Sequence, residues 1–222
     1  MQSINDIILI PNARIDLFFV KELDNKFQIV LVGFETKPSL LPKNDHACIY
    51  VVSFNPLAVE YIFKHTVSCI LDSQKTLPHN FWGFNVDDLD DFEAFCKKIS
   101  KKIQSLLSTE IDERKRRLFE LIYASNGEVS IKQLSSKVFW STRQINQYFN
   151  QQFGFSLKTY CSILRFQASL FHIKEGKLFP QLNYYDQSHF IKEIKRLSGA
   201  LPKDLFKNKN SRFLQLLAIG PK

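Results

Sequence analysis

Glycine is scarce in this chain, and the glycines that are present lie far apart. There are 7 glycines among 222 residues, and each lies more than twenty positions from the next. Phosphate-binding loops and dinucleotide-binding fingerprints need several glycines close together, because the backbone must turn sharply and approach the phosphates. The spacing therefore excludes both kinds of nucleotide-binding loop.

Paired cysteines and long hydrophobic runs are missing as well. The 4 cysteines include no CxxC pair, so we interpret them as small buried hydrophobic residues in a reducing cytoplasm. The first residues show no basic segment followed by an apolar run, which is the pattern of a secretory signal. No apolar run approaches the roughly 20 residues that a membrane-spanning helix needs. We therefore expect a cytoplasmic protein without a membrane segment.

Catalytic and metal-binding motifs are also absent. The sequence contains no GxSxG nucleophile elbow, and no local motif places a base beside a nucleophile. We therefore predict that the protein is not an enzyme and that it holds neither a metal nor a cofactor. An enzyme whose N-terminal half acts on a small molecule is the alternative function that the sequence supports least. The only candidates for metal ligands match no compact ligand spacing. They are His46, Cys48, His65, Cys69 and His79.

Charge is distributed unevenly along the chain. Residues 1–110 carry 11 Lys and Arg against 14 Asp and Glu, whereas residues 111–222 carry 19 against 8. The first part therefore has a net charge of −3 and the second a net charge of +11. This asymmetry suggests two domains, of which the second meets a polyanion. Nucleic acid is the partner that fits best, and solvated basic helix faces are the alternative.

The first half of the chain reads as strands and the second as helices. The segments IDLFFV, FQIVLVGF and HACIYVVSF have strand length and are rich in β-branched and aromatic residues. Apolar residues at helical spacing then predict a helix over residues 89–107, with acids first and bases later, as suits the helix dipole. We place the boundary after this helix, between a strand-rich domain, 1–108, and a helical domain, 109–222. The predicted fold class is α+β.

Two short helices at the centre of the second half have clear end signals. Ser130 and Gln133 form a capping box at the start of the first helix, and Ser141 and Gln144 form one at the start of the second. Gly154 fits the C-terminal cap of the second helix. Short helices with a tight connection and a shared apolar face predict a helix-turn-helix.

The second of these helices recurs further along the chain. A longer helix is predicted over residues 157–172, and the repeat follows it. A shift of 45 residues carries Ser141 onto Asp186 and Gly154 onto Gly199, so that the cap and the stop recur together with the apolar positions between them. One chain is therefore predicted to present two similar helices about 45 residues apart.

The first copy of this helix is unusually rich in amides. The segment STRQINQYFNQQFG contains six Asn and Gln but only one charged residue. Asn and Gln can pair bidentately with adenine and Arg with guanine, and recognition helices direct their N-terminal residues at base edges. An amide-rich face that meets only water is the alternative. The strongest candidates for base contacts are Thr142, Arg143 and Gln147, with Gln187, Ser188 and Lys192 at the shifted positions.

Two consecutive segments of the helical half together resemble the DNA-binding domain of AraC-type transcriptional regulators. They are VSIKQLSSKVFWSTRQINQYFNQQFGFSLKTYCSILRFQASL and YYDQSHFIKEIKRLSGALPKDLF. In that family two helix-turn-helix units, joined by a long helix, enter successive major grooves on one face of the DNA. The resemblance covers about 100 residues, and its most specific parts are GFSLKTY, RFQ and YYDQSHFIKE. The resemblance implies DNA contacts at Thr142, Arg143, Asn146, Gln147, Gln187, Ser188, His189 and Lys192.

The N-terminal half resembles, more weakly, a sensor-like domain that precedes this module in some such regulators. The matching pieces are PNARIDLFFV, VLVGFETKP, YVVSFNP and LPHNFWG. The ligand of that domain is generally uncharacterised, so the resemblance implies no site residues there. It leaves room for a small-molecule or protein effector and for a dimer surface. We expect a signal to pass to the helical half through the helix over residues 89–107.

The second helix-turn-helix unit departs from the family pattern. Only residues 168–183 separate RFQ from YYDQSH, several fewer than usual, and the place of the positioning helix contains Gly176 and Pro180. Proline inside a helix costs about 3 kcal/mol or more, although Pro180 could open one short helical turn. We predict a truncated second unit that holds the DNA backbone while the first unit reads bases. The backbone contacts would come from Lys192, Lys195 and Arg196.

Phe139 is a further departure, because helix-turn-helix proteins often prefer glycine at the turn, and we expect modest strain there.

The residues together predict a sequence-specific transcriptional regulator that binds double-stranded DNA in the major groove through the helix from Ser141. The alternative is a protein-interaction module or anti-regulator. In that case, loss of the second positioning helix would have converted a DNA-binding domain into a partner-binding surface.

Overall fold

A computed structural model describes residues 7–41, 46–107, 110–207 and 213, and within these ranges the fold is α+β. The strands of the first part are β1 (Ile7–Leu9), β2 (Ile15–Glu22), β3 (Phe27–Val32), β4 (Ser39–Leu41), β5 (His46–Phe54) and β6 (Gln74–Leu77). They form a four-stranded antiparallel sheet in the order β5-β2-β3-β6 and a separate antiparallel ribbon of β1 and β4.

The sheet buries one of its faces much more completely than the other. Side chains alternate across a strand, and on β2 the residues Ile15, Leu17 and Phe19 are fully buried while Phe18 and Val20 are only half-buried. The three segments predicted as strands are confirmed as β2, β3 and β5. β1, β4 and β6 were not predicted, because they have only three or four residues each and β6 is mostly polar.

Two helices belong to this part, α1 (Pro56–Phe63) and α2 (Phe92–Leu106). The helix predicted over residues 89–107 is confirmed as α2, although residues 86–89 form a separate short 3-10 helix. The Asp91 carboxylate caps α2 by accepting hydrogen bonds from two backbone N–H groups. Phe95 then packs edge-on against Phe19, with ring centroids 5.0 Å apart, which attaches α2 to the buried face of the sheet.

The second part of the chain is helical. Both predicted capping boxes and the left-handed cap at Gly154 are confirmed, and the helix predicted over residues 157–172 extends to Lys174. No helix in the described ranges is long and apolar enough to cross a membrane. The helices are α3 (Glu113–Ala124), α4 (Ile131–Val138), α5 (Thr142–Phe153), α6 (Leu157–Lys174), α7 (Gln187–Ser198) and α8 (Pro202–Lys207).

The shortened second unit contains no positioning helix. Between α6 and α7, residues 175–186 form turns and bends but no helix. The suggestion that Pro180 opens a helical turn is therefore wrong. The segment is held by polar contacts instead, since the Arg165 guanidinium donates to the carbonyl oxygen of Asn183 at 3.0 Å.

The two halves share one continuous apolar core. Phe34, which follows β3, packs edge-on against Phe153 and Phe155 of the helical half, with ring centroids 5.5 and 5.1 Å apart. The Tyr160 hydroxyl donates to the carbonyl oxygen of Ala13 at 3.4 Å. The predicted domain boundary after residue 108 lies outside the described residues, so the division into 1–108 and 109–222 stays a prediction.

Candidate nucleic-acid interface

The helices α4 and α5 form a helix-turn-helix whose inner face is part of the core. On α5, Ile145, Phe149 and Phe153 are completely buried, which fixes how the helix is rotated about its axis. The turn between the helices is Phe139 and Trp140, and Phe139 has a left-handed backbone with φ 55°. That conformation explains why glycine suits this position and supports the expected strain. The Phe139 ring itself is 88% exposed.

Four polar side chains of α5 lie away from this buried face. Thr142, Arg143 and Gln147 are exposed and Asn146 is half-buried. Within the described residues, none of these four side chains takes part in a hydrogen bond or ion pair. Because their donors and acceptors are not used inside the protein, they are available to another molecule.

Two of the six amides on this segment have structural roles that the composition did not reveal. The Gln144 side chain accepts a hydrogen bond from the backbone N–H of Ser141 at 2.8 Å and completes the capping box. The Gln152 amide donates to the carbonyl oxygen of His65 in the strand-rich half at 3.3 Å. Helix capping and contact with the strand-rich half therefore explain part of the amide enrichment.

More of the predicted contact residues of α7 than of α5 are already hydrogen-bonded within the protein. The Gln187 amide donates to the carbonyl oxygen of Leu178 at 3.0 Å, and Nδ1 of His189 accepts from the backbone N–H of Tyr185 at 3.3 Å. Ser188 and Lys192 are exposed, and their side chains form no hydrogen bond or ion pair within the described ranges. The two units therefore differ, with four free candidate side chains on α5 and two on α7.

An ion pair on α7 reduces the positive charge available there. Arg196 donates to the Glu193 carboxylate at 2.9 Å, and the Ser162 hydroxyl donates to the same carboxylate at 2.6 Å. These contacts hold the pKa of Glu193 at about 2. Arg196 is therefore partly neutralised, whereas Lys192 and Lys195 remain without an acidic partner among the described residues.

The C-terminal half of α5 is anchored to the strand-rich part of the chain. The Tyr148 hydroxyl donates to the Glu60 carboxylate of α1 at 2.8 Å, and the Lys115 ammonium pairs with the same carboxylate. Burial, followed by the Glu60 charge, raises the pKa of Tyr148 far above its usual range. No local sequence pattern indicates this three-residue cluster, because Tyr148 and Glu60 are 88 positions apart.

Backbone contacts hold the same end of the helix. The Val67 N–H donates to the carbonyl oxygen of Gln152 at 3.0 Å. Gly154 has φ 83°, and a Cβ atom at that position would lie 3.1 Å from the carbonyl oxygen of Ser68. Glycine is therefore needed there both for the left-handed cap and for the close approach of the two halves.

No metal site assembles in the described part of the chain, where no group of three His, Cys, Asp or Glu side chains is suitably placed. The side chain of His46 is not among those described. The other residues weighed as candidate ligands, Cys48, His65, Cys69 and His79, belong to no such group within the described residues.

Comparison with known proteins identifies the fold. No protein-family model and no curated protein sequence matches the chain. Among solved structures, it is similar to apo ToxT K231A from Vibrio cholerae strain SCE256, an AraC-family regulator, at 11% identity and a TM-score of 0.51. That alignment covers 91% of this chain and 95% of ToxT. ToxT from Vibrio cholerae O395 aligns at 12% identity over 93% of this chain and 97% of that one, with a TM-score of 0.49.

The chain therefore has an AraC-like fold, with a strand-rich part followed by a helical part. The likeness to ToxT extends over nearly all of both chains.

Proposed function

We propose that the protein is a sequence-specific DNA-binding transcriptional regulator that reads bases in the major groove through α5. One observation carries the proposal. Thr142, Arg143, Asn146 and Gln147 lie in the first two turns of a helix whose inner face is fixed in the core, and they have no hydrogen-bonding partner within the described residues. A rigid helix with unused donors and acceptors near its N-terminus is the arrangement that direct base reading requires.

The second unit would mainly contact the DNA backbone. Ser188, Lys192 and Lys195 are its free polar side chains within the described ranges, while Gln187 and His189 are already hydrogen-bonded inside the protein. Lysine to phosphate contacts add affinity that does not depend on sequence and that salt weakens. The proposal places the protein in the cytoplasm, with residues 1–108 as an effector or dimerisation domain and residues 109–222 as the DNA-binding domain.

Selection of bound duplexes from a random pool tests this proposal. The selected duplex and a scrambled version would then be titrated at two salt concentrations. We expect an enriched motif that is bound at least a hundredfold more tightly than the scramble, since specific binding typically exceeds non-specific binding by about 10³ or more. Equal, weak and salt-sensitive binding to every sequence would contradict base reading.

Exposed aromatic rings around α7 favour a second candidate function, a protein-interaction module. Tyr185 is 92% exposed and Phe179 is 58% exposed, in the segment where the positioning helix is missing. Exposed aromatic residues are typical of surfaces that bind protein partners. If no motif is enriched, and if Tyr185→Ala abolishes capture of a partner that the Arg143→Ala variant still captures, this second function would replace the first.

A further inference from the structure

A cavity of about 460 Å³ lies between the less buried face of the sheet and the ribbon of β1 and β4. It is separate from the DNA-binding face, because all of its lining residues belong to the strand-rich half. Its walls are mainly apolar, and its size falls in the range of small-molecule pockets, roughly 300–1,000 Å³. The apolar side chains that line it are Leu9, Phe18, Val20, Val30, Val32 and Leu40.

Three carboxylates are among the described residues that line the same cavity, and no basic side chain is among them. Each carboxylate accepts hydrogen bonds from neutral groups only. Glu22 accepts from the Gln28 amide at 3.1 Å, and Glu35 accepts from the Ser39 hydroxyl. Asp72 accepts from the backbone N–H and the hydroxyl of Thr36, both at 2.7 Å.

Glu35 and Asp72 have no cationic partner in the described part of the chain, and the Lys26 ammonium interacts with Glu22 only beyond ion-pair distance. None of the three forms an ion pair with a described Lys, Arg or His. Burial raises the pKa of Glu35, and the nearby charges of Asp16 and Asp72 raise it further. A half-buried carboxylate that is close to other carboxylates is costly to ionise, and a cation beside it would reduce that cost.

We propose that this cavity is the effector site and that its ligand is an organic cation with an apolar body, such as an alkyl or aryl amine. The ammonium group would lie at Glu35, supported by Asp72, and the apolar body would lie against Phe18 and Val30. The apolar walls supply burial, and the charged end supplies orientation and selectivity. The description of this cavity as an effector site rests on the proposed function. The binding of the cation does not, because it requires no DNA.

The same chemistry argues against other ligand classes. An anion of similar shape would meet three carboxylates and no compensating positive charge among the described residues that line the cavity. A neutral molecule would gain apolar burial but would leave Glu35 without a positive partner. Hard metal cations such as Ca²⁺ prefer six to eight converging oxygen ligands, and no three acidic side chains in the described part of the chain are placed to hold a metal ion together.

Calorimetric titration of the full chain at pH 7 with three chain-matched probes tests the proposal. The probes are octylammonium, 1-octanol and octanoate, each below its aggregation concentration. We expect octylammonium to bind one site at least tenfold more tightly than octanol, and octanoate not to bind. Equal affinity for octylammonium and octanol, or no saturable binding of octylammonium up to millimolar concentration, would overturn the proposal.

Two variants connect the binding to the cavity. Glu35→Gln should weaken octylammonium binding at least tenfold and leave octanol binding unchanged. Glu93→Gln removes an exposed carboxylate of α2 that does not line the cavity, and it should bind octylammonium as the unmodified chain does. Octylammonium binding that is unaffected by Glu35→Gln, or weakened equally by both variants, would contradict the site.

Loss of folding would not be mistaken for loss of the site. Because Glu35 has a raised pKa and no described cationic partner, the neutral glutamine should fold at least as stably at pH 7 without ligand, which a thermal melt measures. The titration contains no DNA, so its failure would leave the proposed DNA binding in place. Failure of DNA binding would likewise leave the titration valid.

Discussion

At the scale of single residues, the candidate interface depends on which polar side chains are already occupied. Arg143 and Gln147 are exposed and have no partner within the described ranges, whereas Gln144, on the same helix, is used in a capping box. Residue type alone could not separate these roles, because the amides look alike in the sequence. Geometry separates them, since an amide that already bonds the backbone has less to offer a base.

Phe139 provides a test of backbone strain at the turn. Its left-handed conformation costs a residue with a Cβ roughly 1–2 kcal/mol, and asparagine tolerates that conformation better than most residues. Because the ring is 88% exposed, its removal should cost little packing. We expect Phe139→Asn to raise the free energy of unfolding by about 1 kcal/mol in urea denaturation. Phe139→Ala is the control, and equal stability of the two variants would argue against strain.

Glu193 provides a test of pH dependence. Its pKa is lowered to about 2 by Arg196, below the usual value of a glutamate. A lowered pKa in the folded state means that the ion pair stabilises the protein above the unfolded pKa, near 4.3, and that this contribution is lost as the pH falls toward 2. We expect the unmodified chain to lose more stability than Glu193→Gln between pH 7 and pH 3. Parallel losses, measured by urea denaturation, would show that the pair contributes nothing.

At the scale of elements, α5 and α7 have similar ends but different surroundings. Both begin at a capping residue and end at a left-handed glycine, at Ser141 and Gly154 and at Asp186 and Gly199. The partner of α5, the helix α4, is a regular helix, whereas α7 is preceded by turns alone. We infer that α5 is the better supported of the two and therefore the better suited to read bases.

Lys192 tests the task assigned to α7. A lysine that contacts only phosphate contributes equally to all sequences. We expect Lys192→Ala to lower affinity for the selected duplex and for its scramble by the same factor, and to reduce the slope of log K against log salt by about 1. Affinity would be measured by fluorescence anisotropy over a series of salt concentrations. A selective loss on the selected duplex would instead assign base reading to α7.

At the scale of the whole molecule, the helix proposed to read DNA is held by the strand-rich half. Tyr148 of α5 and Lys115 of α3 converge on Glu60 of α1, whose side chain is only 22% exposed. The sequence suggested communication through α2, but these polar contacts between the halves come from α1 and from the segment around Val67. A change in the strand-rich half therefore has a direct route to the position of α5.

Tyr148→Phe tests this connection. The variant keeps the ring and removes the hydrogen bond to the Glu60 carboxylate, which typically costs about 1.5–3 kcal/mol when one partner is charged. We expect a lower free energy of unfolding and faster limited proteolysis between the halves. Tyr185→Phe removes a hydroxyl that is almost fully exposed and should change neither. If both variants behave like the unmodified chain, the cluster does not hold the halves together.

Local patterns predicted much of this structure, and long-range contacts could not be predicted in the same way. The capping boxes at Ser130 and Ser141 and the stop at Gly154 were visible because each depends on residues a few positions apart. The cluster around Glu60 and the cavity beside Glu35 bring together residues that are distant in sequence. No local periodicity records such contacts, so only the folded chain reveals them.

A base-substitution scan with Arg143→Ala tests the central claim most directly. The affinity of the unmodified chain and of the variant would be measured for the selected duplex and for each single base-pair change in it. We predict that changing one or two adjacent base pairs costs the unmodified chain about 1–3 kcal/mol of binding free energy and costs the variant nothing. The cost of changing every other base pair should be the same for both proteins. If Arg143→Ala lowers affinity for every duplex by the same factor, α5 binds DNA without reading it, and the account is contradicted.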